Sequence, residues 1–150
     1  MPATSPSSVE GTEQHPDALS AAFEARLSRA QRRRGGVFNT PWSVAVDVVR
    51  AIDAPGVVCD PSCGTGTLLV AAGERLVELG LSRAEAASLL VGVDVDPAAV
   101  EVASASVARW SGGAGARFVI GDALSDLDGL AVDHVVGNPP FVDGLHGRFL

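Results

Sequence analysis

The 150-residue sequence predicts an α/β domain built on a parallel sheet with helices on both faces. Three observations carry this. From Gly56 onward, short apolar runs alternate with longer amphipathic ones, the pattern of strands joined by helical crossovers. Right-handed crossovers then predict four parallel strands in the order 3-2-1-4. Finally, each apolar run ends in acidic, glycine or asparagine residues, at the sheet edge where open α/β folds hold ligands.

The elements follow in order. Residues 1–16, "MPATSPSSVEGTEQHP", are rich in Ser, Pro, Thr and Glu and predict a disordered tail. "DALSAAFEARLSRAQRRR" places Leu19, Phe23, Leu27 and Ala30 at helical spacing. Arg32, Arg33 and Arg34 suit the negative end of that helix as a solvated terminus, and Gly35-Gly36 stop it. "NTPWSVAVDVVRAI" predicts a second helix over residues 41–53, with Thr40 able to cap it and Pro41 in its first turn. That helix is expected near the glycine loop. "GVVCD" is the first strand, "PSCGTG" a glycine-bearing loop, and "TLLVAAGERLVELG" an amphipathic helix ended by Gly80. "SRAEAASLL" reads as a short extra helix. "VGVDVD" is the second strand, and its helix, "PAAVEVASASVARW", starts at Pro97 behind Asp96 as cap. "ARFVIGDAL" gives the third strand with an acidic turn, and "AVDHVVGNPPF" the fourth.

Composition narrows the function. The net charge is −7, so no global basic field attracts nucleic acid, and such a partner needs a local patch or another domain. Cys59 and Cys63 form one close pair with no second pair. That is neither zinc-site spacing nor a disulfide framework, so reduced thiols in a cytoplasmic protein are expected. The N-terminus has no apolar core of a signal peptide, and no run reaches membrane-spanning length. The sequence therefore predicts no membrane partner and no metal.

The strand ends carry the candidate chemistry. Gly64-Thr65-Gly66 follows Asp60, but a dinucleotide fingerprint would need a third glycine where Leu69 stands. A phosphate loop would need a lysine, and the chain has none. The loop thus admits a close ligand without a pyrophosphate signature, as a nucleoside lacking phosphates would be. Asp94, ending the second strand, is placed to accept from both ribose hydroxyls of such a ligand. Asp122, after the third, can accept from an exocyclic amine, or serve as an ordinary turn residue. The fourth strand ends in "VVGNPPF", where two prolines hold the chain stiff and extended.

In this order, "GGVFNTPWSVAVDVV", "DPSCGTGTLL", "GVDVDP", "GDAL" and "GNPPF" resemble the S-adenosylmethionine-dependent N6-adenine DNA methyltransferases. The Thr-Pro segment standing first matches the gamma-type enzymes and the modification subunits of restriction systems. The resemblance runs from about Gly36 to Phe141 and implies a Rossmann-like methyltransferase fold. It implies that Asp60, Cys63, Gly64 and Gly66 border the methionine part of the cofactor, with Thr40 and Pro41. Asp94 would hold the ribose, and Asp122, with Ala123 beside it, the adenine amine. Asn138, Pro139, Pro140 and Phe141 would form the catalytic segment.

That assignment gives "NPPF" a chemical purpose. The target amine of adenine is a poor nucleophile because its lone pair is delocalised into the ring. Two acceptors aimed at its hydrogens, the Asn138 amide oxygen and the Pro139 carbonyl, favour a more tetrahedral, reactive nitrogen. Phe141 offers a flat face for a flipped base. Family members continue beyond this point with three more strands and a target-recognition domain. Residues 17–150 are accordingly read as the N-terminal part of a catalytic domain, reaching DNA through a further region or partner chain such as a specificity subunit. The bare segment is expected to methylate DNA at no useful rate. Protein-glutamine and ribosomal-RNA guanine methyltransferases also carry Asn-Pro-Pro-aromatic segments, and "FNTP" and "DPSCGTG" argue against them. A non-catalytic cofactor-binding fragment is the remaining alternative.

Overall fold

The protein is described from a computed structural model covering residues 39–139, together with Ala22 and Ala25, which are helical positions within the predicted first helix. The predicted tail over 1–16, the arginine run, Pro140 and Phe141 lie outside the described residues. The strands are β1 (Val58–Asp60), β2 (Leu90–Asp94), β3 (Arg117–Ile120) and β4 (His134–Val135). They pair in parallel in the order β3-β2-β1-β4, as predicted. The register sets Asp60 against Gly92 and Asp94 against Ile120, so the carboxyl ends share one edge.

The helices are α1 (Trp42–Val49), α2 (Thr67–Glu78), α3 (Arg83–Ser88) and α4 (Pro97–Ser111). Asp96 caps α4 by accepting from the Ala98 N–H at 2.9 Å, and Pro97 fills the first turn. Ser82 and Glu85 form a reciprocal capping box on α3. Helix α1 is shorter than the predicted 41–53, and Thr40 does not cap it. The N-cap is Pro41, with no side-chain cap bond, because the Thr40 hydroxyl lies buried and bonded elsewhere.

Side chains alternate across the strands, so the two faces build two clusters. Val58 and Leu90 join Ala45 and Val49 of α1, Leu69 and Leu76 of α2, Ala86 and Ala87 of α3, and Ala103 and Val107 of α4. Burying each large aliphatic here contributes about 1.5–3 kcal/mol. On the opposite face Cys59, Val91 and Val93 are covered by Ala123, Leu127 and Leu130. Helices on both faces were expected; among the described residues they line one face, and a loop crosses the other. Crossover handedness accounts for this. The steps β1→β2→β3 run one way along the sheet and put their helices on one side. The return from β3 to β4 runs the other way and must pass over the opposite face, where residues 121–133 form turns rather than a helix.

Two contacts carry the fold into the site. The Arg75 guanidinium donates from Nε to the Ile52 carbonyl at 2.9 Å, tying the exit of α1 to α2. Thr67 Oγ1, at the start of α2, donates to Asn39 Oδ1 at 3.3 Å, fixing the segment that enters α1.

Candidate functional site

The loop between β1 and α2 turns back across the sheet edge. The Cys63 N–H donates to the Val93 carbonyl at 2.8 Å, and the Gly64 N–H donates to Asp94 Oδ2 at 2.9 Å. Gly64 and Gly66 both have left-handed backbones, with φ of +51° and +88°, but for different reasons. A Cβ on Gly66 would stand 3.0 Å from Cα and Cβ of Ala103, so this glycine lets the loop lie against α4. A Cβ on Gly64 would meet nothing within 4 Å; it would extend into open space at the cleft that Gly64 lines. There the missing side chain leaves room for a ligand.

That cleft opens to solvent, and the space within it, open solvent included, is about 550 Å³. Asp60, at the end of β1, is 1% exposed, and its Oδ1 accepts from the Ser62 N–H at 3.0 Å. Burial pushes its carboxyl up to about 7 against the pull of that N–H, and the charge of Asp94 adds to the rise. Asp94 accepts one N–H on each oxygen, from Gly64 and from Asp96 at 2.9 Å. Each oxygen keeps lone-pair capacity for a ligand, and the carboxylate cannot swing. Burial, then Asp60 and Asp94, push the Cys63 thiol up; burial, then Asp60, do the same for Cys59. Neither is an activated nucleophile. No basic side chain among the described residues lines the cleft, so its field favours a cationic ligand.

On the far side, the Val136 N–H donates to the Cys59 carbonyl at 2.9 Å, carrying the β4 pairing toward Asn138. Asn138 reaches the cleft, and its Nδ2 donates to Thr40 Oγ1 at 3.2 Å. Thus Thr40, Asp60, Cys63, Gly64, Asp94 and Asn138, from four separate stretches of sequence, line one cavity. Pro41 and Gly66 sit behind it as the N-caps of α1 and α2. Asp122 is exposed beyond β3 and outside the lining; its Oδ1 accepts from the Leu124 N–H at 2.9 Å. Ala123 packs on the opposite sheet face. Pro139 is exposed next to Asn138.

The lining also holds Asn39, Ser62, Thr65, Thr67, Leu68 and Ala99, which were not singled out from the sequence, and Asp96, which was expected only as a helix cap. Asn39 and Ser62 lie inside the quoted "FNTP" and "DPSCGTG" stretches, so position within the motif was the available signal. The Ser62 hydroxyl is buried without a hydrogen-bond partner among the described residues. Val95 and Leu124, past the ends of β2 and β3, and Ile120, the last residue of β3, leave apolar surface exposed. Among the described residues no group of three or more His, Cys, Asp or Glu is placed to hold a metal ion, and no helix is long and apolar enough to cross a membrane.

A parallel sheet in this order, with a glycine loop, a strand-end carboxylate and an asparagine-proline tip around one cleft, defines a Rossmann-like α/β protein of the methyltransferase class. The N-6 DNA Methylase family profile matches residues 14–147, and the chain belongs to that family. It is 29% identical over 138 residues to the type II methyltransferase M.VspI of Vibrio sp. (strain 343), covering 89% of this chain and 32% of that protein. It is 32% identical over 125 residues to the type I restriction enzyme MjaIX methylase subunit of Methanocaldococcus jannaschii, covering 81% of this chain and 22% of the relative. The chain therefore spans a third or less of the length of these relatives. Among solved structures, a chain assigned as a modification subunit of a type I restriction enzyme from Vibrio vulnificus YJ016 superposes with a TM-score of 0.59 at 25% identity, covering 89% of this chain and 30% of that one. One assigned as an RNA methyltransferase from Pyrococcus horikoshii gives 0.56 at 26% identity, covering 83% and 60%.

Proposed function

We propose that this chain forms the cofactor- and amine-binding part of an enzyme that transfers a methyl group from S-adenosyl-L-methionine to N6 of adenine in DNA, within a restriction-modification system. The observation that carries the reading is that Asn138 opens onto the same cleft as Asp60, Gly64 and Asp94. An acceptor for an amine and a site for a cationic nucleoside thereby stand side by side.

The residues present fit the cofactor. Two carboxylates suit its positive charges, Gly64 leaves backbone room, and the unpartnered Ser62 hydroxyl has hydrogen-bonding capacity to give. Asp94 accepts from the ribose hydroxyls with its remaining lone pairs. Val95 and Leu124 supply apolar surface for the purine, with Asp122 as acceptor for its amine. When bound, the cofactor supplies an electrophilic methyl on a sulfonium. The chain's part is to orient the acceptor: Asn138 Oδ1 and the Pro139 carbonyl take the two amine hydrogens, and Phe141 stacks on the flipped base.

Several findings support the restriction-modification context. The M. jannaschii relative is named as a methylase subunit, and M.VspI as a type II methyltransferase. With a net charge of −7, this chain has little to grip phosphates, so DNA is held by further sequence or by a specificity subunit. A cytoplasmic location follows from that substrate and from the two free thiols. The test is transfer of tritiated methyl into DNA by the chain alone and within its native sequence context, followed by nucleoside analysis. Label in N6-methyl-2′-deoxyadenosine supports the reading. Label in protein, in RNA or in guanine overturns it.

A further inference from the structure

We propose that Thr40 is the positioning residue for Asn138: its hydroxyl oxygen holds the amide nitrogen and so turns Oδ1, the acceptor, toward the substrate amine. This rests on the role given to Asn138 above. A carboxamide is two-sided, with two donors on nitrogen and one acceptor oxygen. Only one side serves an amine, and a free asparagine at a strand end has no reason to choose it. Here the nitrogen is engaged. Nδ2 donates to Thr40 Oγ1 at 3.2 Å, across 98 positions of sequence.

Thr40 is buried and tied on both sides, while the Asn138 side chain stands exposed. Asn138 is an exposed residue in an extended tip, whereas Thr40 is only 8% exposed. On one side of Thr40, Asn39 accepts from Thr67 at the start of α2. On the other, the Pro41 carbonyl accepts from the Ala45 N–H at 3.0 Å, and α1 is docked through Ala45 and Val49. An order imposed on the amide must therefore come from the threonine. A hydroxyl has one proton and two lone pairs. Thr40 lines the cleft, so a ligand acceptor there takes the proton and leaves the lone pairs to Nδ2 alone. That excludes the flipped amide, in which the hydroxyl would have to donate to Oδ1. Cofactor occupancy and amide orientation are in this way linked through one side chain.

The test reads the amide directly. The chain has only four carboxamide side chains, Gln14, Gln31, Asn39 and Asn138, so their ¹⁵N–¹H signals are few, and Asn138→Asp assigns one pair by its loss. In the unmodified chain, one Asn138 proton is expected downfield and slow to exchange, more so with S-adenosyl-L-methionine added. Thr40→Val should return it to the position of a free amide, and Thr40→Ser should restore it. In methyl-transfer assays within the native sequence context, Thr40→Val should lower kcat on the order of tenfold, as for one lost hydrogen bond. Thr40→Ser should recover most of that, and Thr40→Val should add little on top of Asn138→Ala. A free-amide signature in the unmodified chain, or signals unmoved by Thr40→Val, overturns the inference. The unmodified and serine forms decide even where valine fails to fold. Methyl appearing elsewhere than adenine N6 would refute the assigned reaction, while the amide signals would still decide whether Thr40 orients Asn138.

Discussion

Asp60 makes stability depend on pH in the opposite sense to an ordinary paired carboxylate. Its folded-state carboxyl titrates at about 7, against 3.8 for the free side chain, chiefly because it is buried. Between those values the folded chain binds a proton that the unfolded chain has lost. Stability from this group is thus complete below the unfolded value and is lost as pH rises through about 7. From pH 8 to pH 5 the gain corresponds to the two pH units below the folded value, at about 1.4 kcal/mol each, or about 3 kcal/mol. Asp60→Asn mimics the protonated form. Its Oδ1 can still accept from the Ser62 N–H. Urea unfolding of both proteins at pH 5, 6, 7 and 8, followed through Trp42 and Trp110, measures the effect. The variant's advantage over the parent should grow by about 3 kcal/mol from pH 5 to pH 8. Parallel stability curves, within about 1 kcal/mol at every pH, would refute the assignment of a proton to Asp60.

The two loop glycines should separate cleanly. Gly66→Ala combines a left-handed backbone with contact against Ala103 and should cost about 2–4 kcal/mol in urea unfolding. Gly64→Ala carries only the backbone cost, about 1–2 kcal/mol, yet should lose most cofactor affinity by calorimetry, because its Cβ enters open space at the cleft. Asp94→Ala should weaken S-adenosyl-L-methionine binding by about 1.5–3 kcal/mol; unchanged affinity in a folded variant would make Asp94 purely structural. Within the native sequence context, Asn138→Ala should leave cofactor binding intact while nearly abolishing methyl transfer; equal loss of both would place Asn138 in the cofactor site instead. Cofactor affinity should also rise with pH through about 7 as Asp60 ionises, and Asp60→Asn should flatten that rise.

The parallel sheet was legible because local sequence encodes the alternation of strands and helices. Asp96 as a cap and Pro97 in the first turn were legible for the same reason: both act within a few residues of themselves. Thr40 was not. A threonine before a proline and an apolar run has the local form of an N-cap, but a contact with Asn138, 98 residues away, takes the hydroxyl, and no local rule sees it. The second face of the sheet is a different case. "GDALSDLDGLAVD" has apolar residues at Ala123, Leu127 and Leu130, enough to cover Cys59, Val91 and Val93 without a helix. Counting crossovers predicted a covered face correctly but not what covers it. In the cleft, the residues with a charge or a special backbone stood out, whereas Ser62 did not. A serine in a loop has no distinguishing feature until its hydroxyl is found without a partner.

The division of labour in the cleft follows from where the chain crosses itself. Asp60, Gly64 and Asp94 come from β1, β2 and the loop between them, one continuous βαβ unit whose geometry is fixed by local pairing. Asn138 comes from β4, which pairs with β1 through only Val58 with His134 and Cys59 with Val135. Two residue pairs fix a strand direction but not the angle of a side chain three residues further on. The segment before α1 supplies the missing constraint, since Asn39 grips the start of α2 while Thr40 grips Asn138. In this chain the Thr-Pro segment ahead of the glycine loop thereby forms a strut between the start of α2 and Asn138. The strut is short, buried and polar at both contacts, so its loss should be felt as misorientation of the acceptor and not as unfolding.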